Sequence, residues 1–259
     1  MNIVLFKAEE VLAGRVSVVD RRAKHIVKVL GSNVGDRLRV GIINGRMGQG
    51  RIISISRKPP FMVELLLELT KVPESKPTID LLLALPRPIM LKRIFSQATA
   101  LGVGRFYLIH AKRVEKSFWN GSILKKEQYQ KQLIQGLEQA VDTTLPEVIV
   151  HQRFKPFAED VLPEIKKEYS HLLLAHPGVN NTLVDTITEK PEKVLLAVGP
   201  EGGWLEYELN KFKGQGFKSF AIGERILKVD TAVIALHSQV SLAREFLAGS
   251  AKVASRPKS

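Results

Sequence analysis

The feature that most constrains this chain is an alternation running through its last two thirds. Short, largely apolar runs are followed by stretches whose apolar residues recur at helical spacing. The run over residues 79–85 precedes a helical pattern over 89–101, and the run over 106–109 precedes one over 125–141. In the latter, Leu133, Ile134, Leu137 and Ala140 form one stripe. Two further runs, 171–175 and 193–198, read as buried strands as well. A short one at 218–222 leads into a long helix over 230–247, with Val233, Leu236, Val240, Ala243 and Phe246 directed at a core. Strands without an apolar–polar alternation are those covered on both faces. Alternating with helices, they specify an α/β fold with a mostly parallel sheet.

The first 72 residues follow another rule. Short strands are expected at 38–40, 51–56 and 61–65, punctuated by Gly, Asn and Pro. Asn44-Gly45 is a two-residue hairpin signal. One helix is expected over residues 21–30, capped by Asp20. A small β-barrel with one helix fits this segment. The Pro-rich, polar stretch over residues 71–77 marks the boundary, giving domains 1–72 and 73–259. The tail over 250–259 reads as frayed.

Charge follows the same division. Of a formal net charge of +13, residues 1–72 hold +7 (13 basic, 6 acidic) and residues 151–259 only +2 (15 basic, 13 acidic). Such an excess points to a polyanionic partner. The absence of Cys excludes a disulfide scaffold, thiolate zinc sites and a cysteine nucleophile. The opening residues, Met1 to Phe6, lack a basic segment and a long apolar stretch, so no secretory leader and a cytoplasmic setting are expected. No run approaches the ~18–20 apolar residues of a membrane span. Six histidines show no ligand spacing, and no metal is expected.

Phosphate-loop, dinucleotide-binding and nucleophile-elbow motifs are absent. The chemistry is expected in three loops that each follow a late strand: Ala175-His176-Pro177-Gly178, then Gly199-Pro200-Glu201-Gly202-Gly203-Trp204, then residues 222–231. Ligands of open α/β sheets bind beyond the carboxyl ends of strands, and glycines let a backbone approach them closely. Asp230 or Thr231 also suits the cap of the last helix.

The series carries a resemblance. Val198-Gly199-Pro200-Glu201-Gly202-Gly203-Trp204, followed by Ile222-Gly223-Glu224-Arg225-Ile226-Leu227-Lys228-Val229-Asp230-Thr231-Ala232, resembles the RsmE-type 16S ribosomal RNA uridine-N3 methyltransferases of the SPOUT superfamily. His25-Ile26-Val27-Lys28-Val29-Leu30, the stretch over 92–103, Glu138-Gln139 and Leu174-Ala175-His176-Pro177 are similar to further family segments in the same order. The resemblance implies an N-terminal PUA-like β-barrel that binds RNA and a C-terminal sheet with a deep trefoil knot. It also implies S-adenosyl-L-methionine as cofactor, 16S rRNA of the small ribosomal subunit as substrate, and a homodimer. Carried over residue by residue, it assigns cofactor contacts to Leu174, His176, Val198, Gly199 and Gly203, and to Ile222, Gly223, Ile226 and Leu227.

Catalytic roles follow from the substrate's chemistry. Uracil N3 must lose a proton to attack a methyl group, so Arg225 and Lys228 are candidates to stabilise the developing negative charge. Asp230 or Glu201 would take the proton. RNA contacts are expected from Arg21, Arg22, Lys24 and Lys28 on the first helix, and from Arg87 and Arg93 after a strand end. Trp119 and Trp204 read as packing residues. Some positions depart from the family: Lys228, Val229 and Asp230 stand where Arg, Thr and Glu are usual, and Asp142 where Arg is usual. Two alternatives therefore remain, a SPOUT methyltransferase acting on another RNA and an RNA-binding protein without catalysis.

Overall fold

In a computed structural model the described residues are 1–73 and 77–254, the last six of them by backbone alone; part of the expected boundary and residues 255–259 of the expected tail lie outside. Two compact units divide the chain. One comprises Met1–Lys76 with Leu133–Leu145, the other Pro77–Gln132 with Pro146–Ser259.

The first unit is a curled five-stranded sheet in the order β1-β3-β4-β5-β2. Its strands are β1 (Val4–Phe6), β2 (Arg15–Val18), β3 (Arg37–Ile42), β4 (Met47–Ser56) and β5 (Met62–Lys71), with helix α1 (Arg21–Lys28) between β2 and β3. All neighbours are antiparallel except β1 and β3. The inner face is set by period two: Val16 and Val18, Val40, Ile52, Val63 and Leu65 are buried, while Arg15, Ser17, Arg39 and Arg51 between them are exposed. Ala23, Ile26 and Val27, on one side of α1, join them in the core. Asp20 caps α1 by accepting from the Arg22 N–H at 2.8 Å. The helix stops at Lys28, earlier than the spacing predicts, because Gly31 at φ +64° turns the chain. Asn44 adopts φ +59° in the β3–β4 turn, as its hairpin signal requires. The three- and four-residue strands β1 and β2 are additions; neither is long enough to show a period.

Residues 133–145 complete this unit. Leu137 packs with Ile3 and Leu5, and the Glu138 carbonyl accepts from the N–H groups of Asn2 and Ile3 at 2.8 and 3.3 Å. Asp142 accepts from the N–H groups of Thr143 and Thr144 at 2.6 and 3.0 Å, where the chain turns after Val141. The acid at this position thus has a backbone-capping role.

The second unit is a six-stranded sheet in the order β11-β9-β10-β6-β7-β8, parallel throughout. It comprises β6 (Ile79–Ala84), helix α2 (Pro88–Ala100), β7 (Val103–Ile109), helix α3 (Lys126–Ala140, shared with the first unit), β8 (Glu147–His151), β9 (His171–Ala175) and β10 (Val194–Val198). Helix α4 (Glu206–Gly214), β11 (Lys218–Phe220) and helix α5 (Val229–Ala254) follow. The central strands β6 and β10 are buried along their whole length, as their largely apolar runs predict; Asp80, the charged residue within β6, is buried too and accepts from the Tyr169 hydroxyl at 2.6 Å. The edge strand β8, with exposed Glu147 and Val150, has no such signature and was not expected. Helix α5 extends to Ala254, into the stretch expected to fray. Val233, Leu236 and Val240 are buried in it, but Phe246 is 71% exposed. Each step of three residues rotates about 60° away from the buried stripe, so the two steps from Val240 carry Phe246 about 120° around the helix.

Candidate functional site

The loops after β9, β10 and β11 meet in a cleft of about 730 Å³, open solvent at its mouth included, within the second unit. Backbone hydrogen bonds tie them together. The His176 N–H donates to the Phe220 carbonyl at 3.0 Å, and the Ala221 N–H to the Asn181 carbonyl at 2.9 Å. The loop after β10 closes on itself through the Gly203 N–H and the Pro200 carbonyl at 2.8 Å, with Gly203 at φ +75°. Two residues with no motif signal brace it from outside. Arg113 donates to the Gly202 carbonyl, and buried Glu208 accepts from the N–H groups of Lys112 and Leu205 at 2.7 and 2.8 Å.

Eight of the nine expected cofactor contacts line this cleft: His176, Val198, Gly199 and Gly203, then Ile222, Gly223, Ile226 and Leu227. Leu174 does not; it is fully buried inside β9. Trp204 lies beneath the glycine loop, edge-on to Phe212 at 5.0 Å. A Cβ on Gly199 would come within 3.0 Å of the Trp204 indole nitrogen, so only glycine fits without a shift. Gly223, at φ +121°, has open space where a side chain would project, and its backbone conformation is one that L side chains rarely adopt. Two buried polar atoms of lining residues, His176 Nδ1 and Trp204 Nε1, have no hydrogen-bond partner. Burial, with Lys213 adding repulsion, lowers the His176 pKa, which keeps its ring neutral.

Among the catalytic candidates, Arg225 and Glu201 line the cleft and are exposed. Glu201 Oε1 accepts from the Arg87 N–H at 3.3 Å. Lys228 is exposed and is not a lining residue. Asp230, in the first turn of α5, is buried and paired with Arg93 at 3.2 Å. Arg93, placed among the RNA contacts by sequence, therefore holds a carboxylate.

In the first unit, α1 divides its cations. Arg21 makes a two-pronged pair with buried Glu138, at 2.8 and 3.0 Å. Arg22, its side chain 12% exposed, donates to Glu10, to Asp20 and to the Leu5 carbonyl. Burial opposes its charge, but the bonds to Glu10 and Asp20 prevail and raise its pKa. Lys24 is exposed, and Lys28 lies 5.5 Å from the centre of the Phe61 ring. Trp119 donates to His110 at 2.6 Å and packs, as expected.

A parallel sheet with a glycine-walled cleft at its carboxyl edge, preceded by a cationic β-module, matches known families in both parts. Residues 73–241 match the RNA methyltransferase domain and residues 20–63 the RNA methyltransferase PUA domain, which defines the class. The chain belongs to the RsmE-type RNA methyltransferase family. It is 32% identical over 245 residues to ribosomal RNA small subunit methyltransferase E of Treponema pallidum, covering 91% of this chain and 88% of that one. It is 29% identical to ribosomal RNA small subunit methyltransferase E 1 of Borreliella burgdorferi, covering 91% and 95%. The fold is also that of the Neisseria gonorrhoeae ribosomal RNA small subunit methyltransferase E crystallised with S-adenosyl methionine. That structure has a TM-score of 0.72 at 21% identity, covering 93% of this chain and 98% of that one.

Proposed function

We propose that this protein is an S-adenosylmethionine-dependent methyltransferase that methylates N3 of a uridine in 16S rRNA, acting in the cytoplasm as a homodimer. The observation that carries the reading is the convergence of three separate loops on one cleft lined by eight of the nine motif residues. The same loops are those that the family resemblance makes a trefoil knot.

The cleft suits the cofactor chemically. Val198, Ile222, Ile226 and Leu227 offer an apolar bed for a flat base, and two orphaned ring nitrogens offer polar contacts. When bound, S-adenosylmethionine supplies a methyl group activated by a sulfonium. The chain's own residues do the rest. Neutral His176 adds no like charge beside a cation. Arg225 has no side-chain partner among the described residues, so its guanidinium is free to stabilise the negative charge that develops on the pyrimidine oxygens. Glu201 takes the N3 proton, with the Arg87 N–H orienting its carboxylate. Asp230, buried and tied to Arg93, instead fixes the start of α5. Because N3 lies on the pairing edge, the target uridine must be unpaired or flipped out. The Lys228 departure, outside the cleft, favours as second reading the same chemistry on another RNA.

Two measurements test this. Saturating S-adenosylmethionine, at ~100 times its Kd, is expected to stabilise the second unit by about 2.7 kcal/mol; no shift in unfolding would count against an enzyme. Reverse transcription across 16S rRNA is expected to stop at one uridine in wild-type cells and read through in a strain lacking the gene. A stop that survives the deletion would sink the uridine-N3 assignment.

A further inference from the structure

The first unit carries a second set of cations, displayed by strand register rather than by a helix. Arg37 on β3 stands directly opposite Arg51 on β4. Arg51 in turn faces Leu66 on β5, and Leu66 faces Arg15 on β2. One rung across four strands thus reads Arg37, Arg51, Leu66, Arg15, spanning about 15 Å by strand spacing. Arg39, two residues along β3, lies on the same face opposite Gln49. All four arginines are exposed, while the alternate residues Val16, Val40 and Ile52 are buried on the other face. The face also holds Glu64 and Glu68 on β5; Arg37 reaches Glu68 at 3.8 Å and Gln49 at 3.1 Å. Arg15, Arg39 and Arg51 have no side-chain hydrogen bond or ion pair among the described residues.

Two arguments give this face a partner. Like charges directly opposite in a sheet are destabilising, so stability alone does not place Arg51 beside Arg37. The unpaired guanidiniums of Arg15, Arg39 and Arg51 match the geometry of phosphate oxygens, which such groups grip with two parallel bonds. Meanwhile Arg21 and Arg22 of α1 are consumed by carboxylates within the unit. We propose that the outer face of β2–β5, through Arg15, Arg37, Arg39 and Arg51, is the surface on which this protein docks the phosphate backbone of its RNA, in place of the α1 helix. The inference rests on the proposed rRNA substrate.

The test compares two full-length double variants that each remove two charges, R37Q/R51Q and K24Q/K28Q. Binding to unmethylated 16S rRNA is measured across a salt series. R37Q/R51Q is expected to bind about 30-fold more weakly at 0.1 M salt, with the log–log salt slope reduced by about 1.5 to 2. K24Q/K28Q is expected to change affinity less than threefold. R37K/R51K, which keeps charge and fold, is expected to keep the slope and lose only a few-fold in affinity. Unchanged binding by R37Q/R51Q, or equal losses in both double variants, would overturn the proposal. So would loss of binding to the whole small subunit with naked rRNA binding intact, since that assigns the face to a ribosomal protein. Methyl transfer by the wild type, assayed separately, reports on the rRNA substrate itself, and the binding series stands whichever way it falls.

Discussion

At the carboxyl ends of β9, β10 and β11 the chain withholds side chains. Gly199, Gly203 and Gly223 leave a concave, mostly apolar cleft with two ring nitrogens unpartnered. On the outer face of β2–β5 the chain does the reverse, extending four exposed arginines from paired strands. One region is shaped for a small ligand enclosed on several sides, the other for a long polyanion held on one. The contrast explains why the net charge is concentrated in residues 1–72: enclosure needs few charges, whereas counterion release scales with their number.

The largest expected effect would come from mixing the two roles. Arg225→Ala should lower kcat by about 10²–10³, as removal of one charge-stabilising donor typically does, with rRNA affinity and its salt slope unchanged. Single-turnover methylation alongside RNA binding measures both. A fall in affinity with kcat intact would make Arg225 a docking residue and erase the division between cleft and strand face.

A second prediction uses the titration of the cleft-bearing unit. Burial, with some repulsion from Arg244, lowers the His237 pKa to about 4, and its Nε2 has no hydrogen-bond partner. The unfolded chain, with a histidine pKa of ~6.5, therefore takes up this proton first as pH falls. His237 leaves stability unaffected above pH ~6.5 and costs an increasing amount down to pH ~4, reaching about 3 kcal/mol. Both tryptophans, Trp119 and Trp204, lie in the second unit, so their fluorescence reports its unfolding. Urea titrations at pH 7 and pH 4.5 should show the loss in the wild type and a flatter profile in His237→Leu. An equal slope in the variant would assign the acid sensitivity elsewhere.

Smaller again is the expected effect of Arg21→Ala, which leaves the Glu138 carboxylate buried and unpaired. Because the Arg21 side chain is half exposed, the cost is discounted to about 1–2 kcal/mol. Amide exchange in β1 and α1 reads it, and the RNA salt slope should not move. A slope reduced by about one would return Arg21 to the RNA surface where the sequence placed it.

How much was legible in the sequence follows from what each feature depends on. β6 and β10 declare themselves because a strand buried on both faces is apolar at nearly every position, Asp80 being the one charged residue inside β6. The cleft could be read because its loops are contiguous in sequence and their glycines are local requirements. Arg113 and Glu208, which brace it, come from other segments and leave no local sign. Charge singled out the first unit, but not the strand face proposed above. Arg21, Arg22, Lys24 and Lys28 are close together in sequence and drew attention as a helix surface. Whether a guanidinium is free depends on Glu10 and Glu138, which only folding brings near. The strand arginines were invisible for the converse reason: Arg15, Arg37 and Arg51 are dispersed along the chain, and only the pairing register aligns them.

That register makes the smallest prediction the most discriminating. Arg51→Thr removes one of two like charges placed directly opposite each other and puts a β-branched residue at a strand position. If the strand face exists for stability, the change should cost some. If it is held against a local electrostatic penalty in order to bind RNA, the variant should be more stable by about 0.2–1 kcal/mol. RNA should then bind about six- to eightfold more weakly at 0.1 M salt, with the slope reduced by about one. Amide exchange in β3 and β4 gives the first quantity and filter binding the second. A gain in stability coupled to a loss of affinity is the signature of a charge kept for its partner. Destabilisation with unaltered RNA binding would show that Arg51 serves the sheet, leaving α1 as the cationic surface of the first unit.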